Sequence, residues 1–370
     1  MGQSMFLHSF QSVLPKYEIA QDEINNWIIS THLKTETLLQ AQTPRENLSA
    51  ILERFSVSEK KISRRFVDCP DVNQKEAFKM IYALDQKNPI GVDIEQRNLF
   101  FRDSALRVFQ QVYENSPTPD HLIHVTCTGY VAPSPPQLFF QNHPTPPAIT
   151  NAYHMGCYAS LPAIRMGWAF AMKENERVDV LHNEICSLHL DPTTHTAEQM
   201  VVQSLFADGH IKYSISQQQE KNCFEILHIQ ERLLSHSHEE MTWIPGPYGM
   251  KMTLSREVPN KIKAGISDFV NELITSAGLS IDETLSTALF AIHPGGPKII
   301  DMIQETLALK EHQIVASKEV LFLRGNMSSA TLPHVWQTIL NQQPSDATIV
   351  ISLAFGPGLT MFGGVFAVAK

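Results

Sequence analysis

Apolar positions along the chain change their period near residue 120. Before that point they recur at helical spacing, as in "IEQRNLFFRDSALRVFQQVYENS" (94–116), a polar-faced amphipathic helix stopped by the turn-rich "SPTPD". "TPRENLSAILERF" (43–55) is a second such helix, with Thr43 and Glu46 at capping-box spacing and Pro44 at the first helical position. The first hundred residues therefore read as mainly helical. Beyond them come short apolar runs: "HLIHVTCTG" (121–129), "VDVLHNEI" (178–185) and "QSLFADGHIKYSI" (203–215), each read as a buried strand. The polar, aperiodic "SISQQQEKN" (214–222) is the best boundary. It divides an N-terminal half, 1–220, from a C-terminal half, 221–370. The second half opens with the helical "PNKIKAGISDFVNELITSAGLS" and continues through "LSTALFAIHPGG" and "DATIVISLAFGPGLTMFGGVFAVAK". Strands alternating with helices predict a layered α/β fold.

The two halves share a pattern. "HMGCYAS" and "LRGNMSSA" each open a helical stretch, and each is followed at a similar distance by a buried strand, "VDVLHNEI" or "ATIVISLAF". Upstream of each lies an apolar strand ending in a polar residue and glycine, "IHVTCTG" and "FAIHPGG". A duplicated βαβ-type unit accounts for this, and it makes Cys157 and Asn326 equivalent corners, with His293 the counterpart of Cys127.

Bulk composition narrows the chemistry. A chain of 370 residues that is 43% hydrophobic and 18% charged is globular with a large core. A net charge of −9 argues against a nucleic-acid partner. No apolar run is long enough for a membrane span, and "MGQSMFLHSFQSVLPKYEIA" carries neither a signal-peptide pattern nor a complete myristoylation motif. The five cysteines, at 69, 127, 157, 186 and 223, are scattered without a CxxC, which fits reduced thiols in a cytoplasm and no metal site. The "HSHEE" stretch, His236 to Glu240, lacks a partner motif and reads as a solvated loop.

Three residues carry candidate chemistry. Cys157 follows a glycine where a strand turns into the apolar "ASLPAIRMGWAFAM", a helix buried on nearly all sides. The free N–H groups of a helix start favour a thiolate there, whereas the bland alternative is a small core residue. His293, in the stiff and open "AIHPGGP", can pair with a thiol or donate to an oxyanion, and alone reads equally as a structural histidine. Asn326 is a good N-cap for the helix "NMSSATLPHVW" or a neutral oxyanion donor.

At these residues the chain resembles the type III polyketide synthases, the chalcone synthase group of the thiolase-like superfamily. "GCYAS" is similar to the family's nucleophile segment, "IHPGGPKIID" and "GNMSSA" to its histidine and asparagine motifs, "FGPGLT" to its C-terminal glycine-rich loop, and "QSLFADG" to the segment bearing a gatekeeper phenylalanine, here Phe206. "CTGYVAPSP" and "NEICSLH" resemble bacterial alkylpyrone and alkylresorcinol synthases more than plant enzymes. The resemblance implies a thiolase-like αβαβα five-layered fold from two duplicated halves, and a triad of Cys157, His293 and Asn326. It implies that Cys157 takes an acyl starter, possibly long-chain, from CoA, while His293 and Asn326 stabilise the enolate left when malonyl-CoA loses CO₂. The implied products are pyrones or resorcinols formed after repeated condensation, without a cofactor beyond the CoA thioester substrates, in a cytoplasmic homodimer. Two alternatives stand beside it: a ketoacyl synthase III-like enzyme making one condensation with an acyl carrier protein, and a non-catalytic scaffolding homologue.

The resemblance also implies a pocket. Met252 stands at a second gatekeeper position, Gly129, Cys186 and His189 at pocket threonines, and Ser328, Gly356 and Pro357 in the motifs above. Gly129 would open space for a longer chain and His189 would close it. Ser160-Leu161-Pro162 departs from the family pattern, with Pro162 tolerable only in a first helical turn. For CoA phosphates the candidates are Lys60 and Arg64, in "EKKISRRF", and Lys298; a solvated helix face is the equal alternative for that charge run.

Overall fold

The structure is a computed structural model that describes residues 4–40, 45–172 and 176–370. Thr43 and Pro44, and with them the capping box to Glu46, lie outside the described residues; the helix itself runs Arg45–Phe55.

Nine strands form one continuous sheet among the described residues, in the spatial order Leu289–Ile292, Ile349–Gly356, Thr360–Ala369, Cys223–Leu233, Phe6–Val13, Asp208–Ser216, Val178–Ile185, His121–Thr126, Ala148–Tyr153. At each end the outer strands pair in parallel, and the inner ones pair antiparallel. The halves meet at Phe6–Val13, which touches Cys223–Leu233 through only two residue pairs, Phe6 with Glu225 and Leu7 with Phe224. So narrow a seam lets the sheet fold into two faces around a shared helical layer. Helices Ser160–Ala171 and Thr331–Asn341 form that layer. Leu161, Ile164, Val335, Trp336 and Ile339 join strand residues of both halves in the largest core cluster. Helix Ile94–Tyr113 covers one outer face through Val108, Phe109 and Val112. Helix Val258–Ser276 covers the other through Ile262, Ile266, Phe269 and Leu273. This is the five-layer, thiolase-like arrangement.

Several local readings need correction. The first hundred residues hold three strands, Phe6–Val13, Tyr17–Ala20 and Arg64–Val67, as well as helices. Polar side chains hide the first: His8 is buried in it, satisfied by Ser216. "EKKISRRF" is a turn and a strand, and not a helix face. "QSLFADGHIKYSI" is split, since Gln203–Leu205 end a helix capped by Thr196 and the strand starts only at Asp208. Pro162 does fall in the first turn of its helix.

Candidate active site

Cys157 lies between strand Ala148–Tyr153 and helix Ser160–Ala171, in the turn that precedes the helix. Gly156 before it has φ +90°, and a Cβ on it would sit 2.4 Å from Pro357 Cδ, so only glycine lets this corner meet the C-terminal loop. The glycine of "GCYAS" and the "FGPG" loop are thus parts of one contact. Gly356 works the same way from the other side, where a Cβ would come 2.0 Å from the Tyr158 ring.

The sulfur is buried, with the Ser328 hydroxyl 3.8 Å away. Burial pushes the thiol up to about 12; the Ser328 contact pulls the other way, and the negative charge of Glu184 adds to the rise. Cys157 is therefore a thiol at rest, contrary to the expectation of a thiolate. It stands three residues before the helix, where desolvation outweighs what the free N–H groups could contribute.

Asn326 is not an N-cap. After helix Glu311–Arg324 the chain makes a single parallel bridge to Phe206: Asn326 N–H donates to Leu205 O at 3.0 Å, and Ala207 N–H to Asn326 O at 2.8 Å. The side-chain oxygen accepts from Ser328 N–H at 2.9 Å and Thr331 Oγ at 3.2 Å, fixing which end of the amide is left to donate. His293 follows strand Leu289–Ile292, its N–H bonded to Leu353 O at 2.7 Å. Its ring is buried, neither ring nitrogen has a partner among the described residues, and burial alone drives its pKa down to about 3. It is a neutral imidazole with both nitrogens free.

A cavity of about 900 Å³, counted out to its mouth, opens on Cys157. Of the residues anticipated from sequence, Ser328, Phe206, Met252, Cys186, His189 and Pro357 line it with Cys157. His293 and Asn326 are not among the lining residues; Asn326 is tied to two that are, Phe206 and Ser328. Gly129 does not open the pocket. A Cβ there would be 2.1 Å from the Phe101 ring, so the missing side chain is already replaced. His189 is a fixed wall: it pairs with Thr128 O at 2.9 Å, accepts from Met250 N–H at 3.1 Å, and burial lowers its pKa to about 3. The lining also includes the apolar Ile24, Trp27, Ile28, Val67, Val72 and Leu190.

The basic candidates lie on the surface. Arg64 pairs with Glu18 at 3.0 Å, while Lys60 and Lys298 are exposed. Lys61 reaches Asp301 on the helix that Lys298 opens, which brings these two segments side by side. The "HSHEE" loop is solvated at His238 and Glu239, and no metal-holding cluster occurs among the described residues.

Three groups escaped the sequence reading. Cys127 lines the cavity and its sulfur accepts from Gly156 N–H at 3.0 Å. Glu184, fully buried at the end of "VDVLHNEI", accepts from Cys127 N–H at 3.0 Å and Thr128 Oγ at 2.8 Å, and also from Ser329 Oγ; burial raises its pKa. Its strand is buried at every position, so alternation gave no signal. Arg65, taken as part of a surface charge run, points into the cavity wall.

Fold and cavity together define a thiolase-like protein with a buried cysteine at the seam of its two halves. Residues 225–368 match the family model for chalcone and stilbene synthases, C-terminal domain. The chain is 32% identical over 253 residues to probable polyketide synthase 1 of Dictyostelium discoideum, which covers 66% of this chain and 8% of that protein. It is 28% identical over 259 residues to the alpha-pyrone synthesis polyketide synthase-like Pks18 of Mycobacterium tuberculosis, 67% of this chain and 65% of that one. The chain thus spans less than two thirds of the length of either relative. Its fold is similar to that of PKS-I from the brown alga Ectocarpus siliculosus, with a TM-score of 0.85 at 19% identity over 99% of both chains. Over residues 225–368 the chain is thus similar to the chalcone and stilbene synthases, and over its whole length its fold is similar to that of solved polyketide synthases.

Proposed function

We propose that this chain condenses malonyl-CoA iteratively onto an acyl-CoA starter held on Cys157, and that the extended chain closes to a pyrone or resorcinol-type product. The observation that carries the reading is one cavity that Cys157 lines together with the apolar side chains of Ile24, Trp27 and Ile28. An alkyl starter fits such a lining, since burying its methylenes is favourable and asks for no polar partner.

In this scheme the Cys157 sulfur attacks the acyl-CoA carbonyl, a new C–S bond forms and the CoA thiolate leaves with the thiol proton. The carboxylate C–C bond of malonyl-CoA then breaks, CO₂ departs, and the electron pair is held as an enolate. Neutral donors suit that oxygen, and His293 and the NH₂ of Asn326 are assigned to it. The enolate carbon attacks the acyl carbonyl and frees the Cys157 sulfur, leaving a chain one ketide longer on CoA. No cofactor enters these steps. Lys60 and Lys298 are assigned to the CoA phosphates, and the protein to a cytoplasmic homodimer.

The test is to incubate the protein with a panel of acyl-CoAs and malonyl-CoA and to read products and acylated protein by mass. Products carrying two or more ketide units are expected, and acyl adducts on Cys157. A single extension would favour the ketoacyl synthase III-like scheme. Absence of any adduct would leave a scaffolding role.

A further inference from the structure

Arg65 is the one charged side chain among the described residues that line the cavity, and it is 3% exposed. Strand Arg64–Val67 explains why: alternate residues face opposite sides, so Arg65 and Val67 reach the cavity while Arg64 pairs with Glu18 at the surface. Three donor contacts hold the guanidinium. Nε donates to Gln21 Oε1 at 2.8 Å, and Nη1 donates to Gln203 O at 2.8 Å and Phe206 O at 2.7 Å. Nη2 is buried and has no partner among the described residues. Among the described residues no carboxylate is in ion-pair contact with Arg65; burial pulls its pKa down to about 9, and the charge of the buried Asp208 acts the other way. Gly325 packs against the stem, since a Cβ there would lie 3.1 Å from Arg65 Cγ. The group is fixed in place with one donor unused, and a buried cation in that state calls for an acceptor from outside the protein.

The position selects the acceptor. Arg65 lines the cavity beside Phe206, whose carbonyl it holds, and beside the apolar Val67 of its own strand. A saturated acyl tail offers no oxygen there. The malonyl carboxylate is a poor choice, because a guanidinium that held it would stabilise the carboxylate charge that must move onto the thioester enolate as neutral CO₂ leaves. Each condensation, by contrast, adds a β-oxo group, and the resulting 1,3-dicarbonyl enolises readily. We propose that Arg65 Nη2 binds an oxygen of the 1,3-dicarbonyl unit in the growing chain and holds it as the enolate, with the alkyl tail beyond it against the apolar wall. This rests on the polyketide-forming reading above. It makes Arg65 a positioning residue for later extensions.

The probe is undecane-2,4-dione, whose enolate absorbs in the ultraviolet and which needs no loading step. Wild-type protein is expected to bind it and to shift its ionisation down by about one pH unit or more. Arg65→Lys keeps the charge and retains part of the shift, whereas Arg65→Gln loses the shift and binds about tenfold more weakly. With acyl-CoA and malonyl-CoA, Arg65→Gln is expected to lose far more of its later extensions than of its Cys157 acylation, and so to release mainly shorter products. Binding by wild-type protein without an ionisation shift would overturn the proposal, as would equal binding and product length in Arg65→Gln. If Arg65→Gln does not fold, the wild-type spectrum and Arg65→Lys decide. An ionisation shift in a protein that never acylates Cys157 would sink the polyketide reading and leave this site standing.

Discussion

At Cys157 the chain leaves a strand, takes a left-handed glycine and enters a buried helix; at Asn326 it leaves a helix, makes one strand-like bridge and enters a second buried helix. The first corner is held by shape. Gly156 and Pro357 interlock, and the sulfur has the Ser328 hydroxyl as a distant polar neighbour. The second is held by hydrogen bonds at both backbone groups of Asn326 and at its side-chain oxygen. A nucleophile must be free to change partners, and loose polar contact with tight steric placement allows that. An oxyanion donor must stay still, and full hydrogen bonding of the opposite end of the amide provides it.

The largest effect should separate the two cavity cysteines. Cys157→Ala removes the only sulfur assigned to the acyl group, and acylation by acyl-CoA should vanish from the intact-protein mass spectrum. Cys127→Ala removes a sulfur that instead accepts the Gly156 N–H, and acylation should persist. Loading that survives in the first variant and fails in the second would exchange their roles.

Asn326 offers a sharper cut, because its structural and chemical ends differ. Asn326→Ala loses both, and it leaves the buried Ser328 N–H without its acceptor, at a stability cost of about 1–3 kcal/mol. Asn326→Asp keeps the acceptor and loses the donor, so folding should hold while malonyl-CoA decarboxylation falls by roughly 10²–10³-fold. Denaturant midpoints and CO₂ release measure the two ends separately. A decarboxylation rate in Asn326→Asp near that of the wild type would remove this residue from the enolate.

Sequence reading reached the motifs that are locally constrained. "GCYAS", "GNMSSA" and "FGPG" owe their glycines to close approach, and such needs leave a mark on the string itself. The strand "VDVLHNEI" and the helices Ile94–Tyr113 and Val258–Ser276 were equally plain from apolar runs and period. What stayed hidden depends on partners far along the chain. Strand Phe6–Val13 buries His8 because Ser216 satisfies it, 208 residues away. Arg65 was masked by its charged neighbours; the cue, alternation over four residues, is too short to be told from a helix turn. The ionisation of Cys157 was misjudged for the same reason. Burial is a property of the assembled layers, and local charge patterns do not report it.

The smallest effect tests the duplicated corners themselves, where Gly129 follows Cys127 in one half and Gly295 follows His293 in the other. From sequence the two glycines look interchangeable, yet a Cβ on Gly129 would meet the Phe101 ring at 2.1 Å, while on Gly295 its nearest neighbours, His293 Cδ2 and Ile299 Cγ1, are 3.8 Å away. Phe101 is fully buried and cannot retreat without moving helix Ile94–Tyr113, so Gly129→Ala should cost about 1–3 kcal/mol of stability. Gly295→Ala should fall within about 0.5 kcal/mol of wild type. Urea midpoints measured at unchanged slope give both numbers. Because Phe101 already fills the space, Gly129→Ala should also leave product length as it is. A shortened product in that variant would mean that the Phe101 ring moves aside for substrate, and that the cavity is larger than its present walls.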